Sequence, residues 1–257
     1  MDIVGLGLVF GALVGLCLGL LGAGGSIITV PILVYALDLT AHQASGTSLI
    51  IVGAVAILGA SMQVRAKRAD IRTGVTVGAC GIAGAFLGAR LNALADGELI
   101  LFLLGIVCLA ASIRMGLSIP RLPDRPQRPP EPPSLLGPKV IAAGMTLGTL
   151  SGFFGIGGGF LVVPLLVLYF GIPMRWASGT SLIVIAINSA AGFLGHLSFG
   201  EVRFDAAGPM LGGGVLGVLA GTRLTGRMKE RVLRGLFALM LIAISGYLIA
   251  RNYDFAS

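Results

Sequence analysis

Apolar runs separated by short polar gaps dominate this chain. They extend from roughly Ile3 to Leu21, Ser26 to Leu37, Gly46 to Met62, Ile71 to Leu91 and Leu99 to Leu117, then from about Val140 to Phe154, Phe160 to Phe170, Gly179 to Leu197, Ala206 to Leu224 and Val232 to Ile249. No Asp, Glu, Lys or Arg stands in the middle of any run. Most runs approach the ~20 residues that carry a helix across a hydrocarbon core of about 30 Å. The pattern predicts an all-α polytopic membrane protein. Between the fifth and sixth runs, PRLPDRPQRPPEPPSLLGP is too proline-rich for a helix and too charged for the bilayer, so it reads as an extended cytoplasmic linker. The predicted organisation is a first transmembrane repeat over 1–119, the linker over 120–138 and a second repeat over 139–257.

The halves match at a constant offset of 133 without a gap. Gly22, Gly24 and Gly25 fall on Gly155, Gly157 and Gly158, Pro31 falls on Pro164, and Ala44 to Ile50 reappears unchanged as Ala177 to Ile183. From Gly19 to Leu91, 21 of 73 positions are identical, with the excess in Gly, Pro, Ser and Thr. Such duplication is common in secondary carriers, whose substrate site lies between related halves.

Composition reinforces the membrane reading. Only 11% of residues are charged, against about 25% in soluble proteins, while 56% are hydrophobic. The formal charge of +7 comes from basic residues in the gaps, which argues for topology signals and against a nucleic-acid-binding face. Arg65, Lys67, Arg68 and Arg72 follow the third segment, whereas Arg227, Lys229, Arg231 and Arg234 follow the fourth segment of the second half. Asp96 and Glu98 suit the outer side, as do Glu201, Arg203 and Asp205. Equivalent gaps therefore belong on opposite sides, which predicts an inverted repeat with both termini outside. Parity then requires the first two segments of each half to form a hairpin. The first segment lacks a basic n-region and a cleavage site, so it is expected to be retained.

The second segment, Ser26 to Leu37, would be about 18 Å long as a helix, too short to cross alone. The preceding Gly22-Ala23-Gly24-Gly25-Ser26, and its copy Gly155-Ile156-Gly157-Gly158-Gly159, should lie at membrane depth, where broken backbone survives only against protein or a watery cavity. Each break feeds a helix N-terminus, whose unpaired N–H groups favour an anion. Glycine there also lets a ligand approach the main chain. Ser45-Gly46-Thr47-Ser48 and Ser178-Gly179-Thr180-Ser181 open the third segments, where six hydroxyls can cap the helix or donate to ligand oxygens. If the hairpins meet at the midplane, four helix ends converge on one anion site.

Blander roles compete. Gly84 with Gly88 and Gly217 with Gly221 have the spacing of helix packing. Pro31 and Pro164 shape hairpins, Arg90 and Arg223 suit interfacial anchors, and Trp176 and Tyr169 suit the interfacial belt. Asn188, whose repeat partner is Val55, either lines the path or bonds helix to helix. His42, His196 and Gln63 lie near segment ends, where solvation is the default. Cys17, Cys80 and Cys108 lack metal-ligand spacing, and neither a P-loop nor GxGxxG is present, so no cofactor, metal or nucleotide hydrolysis is indicated.

The paired hairpins GLLGAGGSIITVPIL and GFFGIGGGFLVVPLL, each followed by ASGTSLI, make the chain resemble the TauE/SafE family of sulfite exporters, also called the 4-toluene sulfonate uptake permease family. The resemblance covers roughly residues 3 to 250 and implies a secondary carrier in the bacterial cytoplasmic (inner) membrane, with sulfite, thiosulfate or an organosulfonate as substrate. It assigns Gly22, Gly24, Gly25, Gly155, Gly157 and Gly158 to the motif glycines and the two Ser-Gly-Thr-Ser runs to the polar turn. Ser26 against Gly159 makes the hairpins unequal. The expected function is export of a small sulfur oxyanion by alternating access. Its rivals are a scaffold or partner-binding subunit whose glycines only pack helices and, less simply, an intramembrane enzyme using Cys17. The partners expected are the oxyanion and the lipid bilayer, and a homo-oligomer stays open.

Overall fold

The computed structural model describes residues 3–118, 138–156, 159–196 and 202–251. Gly157, Gly158 and nearly all of the proline linker lie outside the described residues. The rest is helical: α1 (Ile3–Leu21), α2 (Gly24–Tyr35), α3 (Ala41–Arg65), α4 (Ile71–Leu94), α5 (Gly97–Ser118), α6 (Pro138–Phe154), α7 (Gly159–Pro164), α8 (Met174–His196), α9 (Phe204–Thr225) and α10 (Glu230–Arg251). Among the described residues seven helices, α1, α3, α4, α5, α8, α9 and α10, are long and apolar enough to cross a membrane. Exposed Val9, Leu58, Leu87, Leu216 and Leu239 form an outer surface suited to lipid rather than water.

Two boundaries differ from the sequence expectation. The helix containing Ser45 to Ser48 begins earlier, at Ala41, because Thr40 and Gln43 form a capping box: the Thr40 side chain accepts from the Gln43 N–H at 3.2 Å and the Gln43 side chain accepts from the Thr40 N–H. The equivalent α8 begins at Met174. Neither Ser-Gly-Thr-Ser run caps its helix; both lie one to two turns inside. The segment predicted from Phe160 to Phe170 is also not one regular helix. After Pro164 it widens into a π-helical turn, Leu165–Tyr169. Proline lacks an N–H and crowds the carbonyl four residues back, and a wide turn is one way to accommodate it. Pro31, its counterpart, is tolerated within α2.

Helix pairing is exchanged between the halves. Long contacts join α1 to α9 and α6 to α4, and these pairs are equivalents under the repeat. Both seams consist of glycine. A Cβ on Gly11, Gly15, Gly213 or Gly217 would overlap backbone across the α1/α9 seam, as would one on Gly84, Gly88, Gly148 or Gly152 across α4/α6. The packing role expected of the Gly84/Gly88 and Gly217/Gly221 pairs is thus observed. Without side chains in between, dispersion contacts and backbone proximity hold the helices together, as lipid-embedded helices require.

Helices α3 and α8 form the centre. Gly46 faces His196, Gly53 faces Ser189 and Gly59 faces Leu182, so these two equivalent helices run antiparallel, crossing near Val55 and Asn188. The gaps sort to two ends of this pair. At one end the Arg68 guanidinium lies against Gly226, and Arg175 donates from Nη2 to the Met228 carbonyl at 2.7 Å, so the basic gaps 65–72 and 227–234 come together. At the other, Gly97 packs beside Ala41, and the Arg203 N–H donates to Thr47 Oγ1 at 3.0 Å.

Candidate functional site

The glycine elbows are built as the broken sequence requires. Gly22 and Gly155 both take positive φ, +77° and +64°, which only glycine adopts cheaply. Neither Gly22 nor Gly155 faces open space, however. A Cβ on Gly22 would overlap the Ser178 backbone of α8, and one on Gly155 would overlap Ser45 of α3. Each elbow carbonyl accepts a hydroxyl from the other half: Ser181 Oγ donates to Gly22 at 2.9 Å, and Ser48 Oγ donates to Gly155. These bonds are equivalents under the repeat. At Gly22 and Gly155 the halves therefore pair off crosswise in two locks, roughly 20 Å apart along the α3/α8 pair at 1.5 Å per residue.

The hydroxyls are mostly engaged within the protein. Ser45 donates to Ala41, Ser48 also to Ser45, Ser178 to Arg175 and Ser181 also to Ser178, all to carbonyls three or four residues back. Thr47 accepts from the Arg203 N–H, and Thr180 accepts from the Asp70 N–H at 2.9 Å, which is again a repeat-related pair. Gly46 and Gly179 allow close approach: Gly46 faces Val202 and His196, and Gly179 lies against the Arg68 carbonyl. The Ser-Gly-Thr-Ser runs, helical in both halves, thus act first as fasteners between halves.

Where the hairpins do meet is one turn deeper. The position a Gly159 Cβ would take overlaps Ile185 of α8 and is 3.0 Å from Ser26 Oγ, so the equivalent residues Ser26 and Gly159 come together between α2 and α7, beside α8. Helix α2 starts there without a side-chain cap at Ala23, and Gly24, Gly25 and Ser26 are all buried. Ser26 Oγ donates back to Ala23 at 2.7 Å, leaving the first-turn N–H groups to point along the helix axis. Gly25 is a packing glycine, since a Cβ would overlap the Val14 carbonyl, whereas Gly24 faces the flexible ends of the Met240 and Leu21 side chains. The positions of Gly157 and Gly158 lie outside the described residues.

Sequence reasoning missed one fastener pair. Asn92 donates from Nδ2 to the Phe153 carbonyl at 2.6 Å, and its equivalent Thr225 donates to Leu20, the equivalent of Phe153, at 2.9 Å. The only sequence signal was position, because the two residues differ in type.

The sulfite exporter TauE/SafE family model matches residues 7–248, nearly the whole chain. The chain belongs to that family. Among curated TauE/SafE relatives, a "Probable membrane transporter protein" of Xylella fastidiosa (strain 9a5c) is 34% identical over 248 residues, covering 95% of this chain and 94% of its own. "Probable membrane transporter protein YdhB" of Bacillus subtilis (strain 168) is 28% identical, with 92% and 96% covered. The similarity reaches archaea: "Probable membrane transporter protein MJ0441" of Methanocaldococcus jannaschii is 29% identical, with 74% and 71% covered. No solved structure matches the chain. As a TauE/SafE member this is a multi-pass helical membrane transporter.

Proposed function

We propose that this TauE/SafE member is a secondary exporter of a small sulfur oxyanion, with sulfite, thiosulfate and organosulfonates as the substrate class. The supporting observation is the arrangement of an uncapped, buried α2 N-terminus facing α7, with Ser26 and Gly159 each four residues beyond a lock glycine. A bare anion in hydrocarbon is prohibitively costly, so fixed main-chain dipoles must replace its hydration. Opening the Ser48–Gly155 fastener would expose this centre to one end of the α3/α8 pair, and opening Ser181–Gly22 would expose it to the other. Alternation between these states is transport. The halves then act as inverted repeats, with the basic end and the linker cytoplasmic and both termini outside, in the bacterial inner membrane. The inside-negative potential expels an anion by about 2.3 kcal/mol per charge per 100 mV, enough for uniport without a coupled proton.

The test is flux from proteoliposomes loaded with sulfite, sulfate, thiosulfate or a small organosulfonate, with and without an imposed potential. Potential-dependent efflux of at least one sulfur oxyanion is expected. If none moves while the protein is monodisperse and folded, the scaffold reading takes its place.

A further inference from the structure

Near its centre the repeat pairs apolar residues of one half with polar residues of the other. Leu18, Val55 and Ala56 are fully buried in an apolar cluster with Val52 and Val218. At the same offset the second half has Ser151, Asn188 and Ser189, also fully buried. Ser151 Oγ, Ser189 Oγ and both Asn188 amide atoms have no hydrogen-bond partner. For a serine such isolation is unusual here: among the described residues, the other buried serines, Ser26, Ser45, Ser48, Ser112, Ser178, Ser181 and Ser245, all donate to a carbonyl three or four residues back. The Asn188 amide instead lies against Gly81 of α4, whose Cβ position is 2.9 Å from Nδ2. Ser189 likewise packs against a glycine, Gly53 of α3, whose Cβ position is 3.1 Å from the Ser189 Cβ and 4.0 Å from its Oγ. Ser151 belongs to the same level of the molecule, because its neighbour Gly152 packs beside Gly192, one turn beyond Asn188.

Buried polar groups are retained in a protein interior when something bonds to them. Helix-to-helix bonding, one of the two readings open for Asn188, is absent. We infer that Ser151, Asn188 and Ser189 form a one-sided contact site for a small monoanionic oxyanion, such as methanesulfonate or hydrogen sulfite, on the transport path. The inference rests on the anion-transport reading above and adds a substrate class and three side chains to it. Two hydroxyls and an amide NH2 supply neutral donors, while Asn188 Oδ1 can accept from a protonated oxyanion. With no cation among the three, the set matches one negative charge; desolvation cost rises with the square of the charge, so a dianion is disfavoured. Neutral donors also hold the guest weakly enough for release.

The experiment uses the full chain with Cys17, Cys80 and Cys108 replaced by Ala, carrying Ser151→Cys or Ser189→Cys, beside the mirror variants Leu18→Cys and Ala56→Cys. Each is treated with a small anionic methanethiosulfonate. Labelling at 151 and 189 should exceed that at 18 and 56 at least tenfold, and methanesulfonate should slow it where sulfate does not. Equal labelling at mirrored positions, or no protection by methanesulfonate, overturns the site; equal protection by sulfate overturns the monoanion assignment. Labelling and protection without flux of any anion would instead overturn the transport reading and leave the site standing. Should the cysteine variants misfold, Asn188→Val with Ser189→Ala copies the apolar half and keeps the proposal testable. This variant should fold normally yet raise the KM for methanesulfonate efflux at least about tenfold, the scale of one lost hydrogen bond to a charged group. An unchanged KM overturns the inference.

Discussion

Glycines 22 and 24 stand two residues apart and have opposite structural demands. At Gly22 a methyl group would meet both a left-handed backbone and the main chain of Ser178, neither of which can yield. Gly22→Ala is expected to destabilise the protein by roughly 2 to 6 kcal/mol, combining backbone strain with overpacking. Gly24→Ala would meet the Met240 tip, 2.8 Å away, and Leu21 Cδ1, 3.0 Å away, both ends of flexible side chains that can swing aside. It should unfold within about 1 kcal/mol of wild type yet slow anion efflux, because it adds a methyl group at the first turn of α2. Chemical denaturation in detergent separates the two variants; equal loss of stability at both sites would remove the distinction. The sequence showed which glycines were clustered and repeated. It could not show which faced a backbone and which a side chain, since that depends on the helix crossing above each one.

Among the elements, α3 is the instructive case. Hydropathy placed its start at Gly46 because His42 and Gln43 look like loop, whereas Thr40-x-x-Gln43 was a legible capping signal that puts the start at Ala41. Thr40→Ala should cost about 1 kcal/mol in thermal or denaturant unfolding, and Thr40→Ser should restore most of it. The glycine seams were legible by spacing but not by partner. Gly15→Val should separate α1 from α9, because its Cβ would overlap the Gly214 carbonyl; loss of monodisperse protein on size exclusion is the expected result. Retained folding would show that the seam tolerates bulk.

Across the whole molecule, the repeat was fully legible as an offset, and the exchange of partners was not. Asp70 and Arg203 make equivalent bonds through their backbone N–H groups, so unlike side chains hide a shared role. The two locks predict opposite consequences for accessibility. Ser48→Ala should favour opening at the end near Thr40, and Ser181→Ala should favour the basic end near Arg68 and Gly226. A membrane-impermeant thiol reagent applied from either side to a reporter cysteine introduced as Ser26→Cys would read the bias, each variant shifting labelling toward its own side. Labelling from the same side in both would mean that the fasteners do not gate.

The exchange of partners also has a biosynthetic consequence. As the chain leaves the ribosome, α1 enters the bilayer long before α9 exists, and α4 emerges before α6. Helix α4 must wait for α6, the first described helix of the second half, and α1 cannot bury its glycine stripe until α9 is made, when translation is nearly over. The nascent first half must wait as a loose assembly in lipid, its stripes open to mispairing, and the interval before the last two helices arrive is when the insertion machinery and its chaperones matter most to this protein.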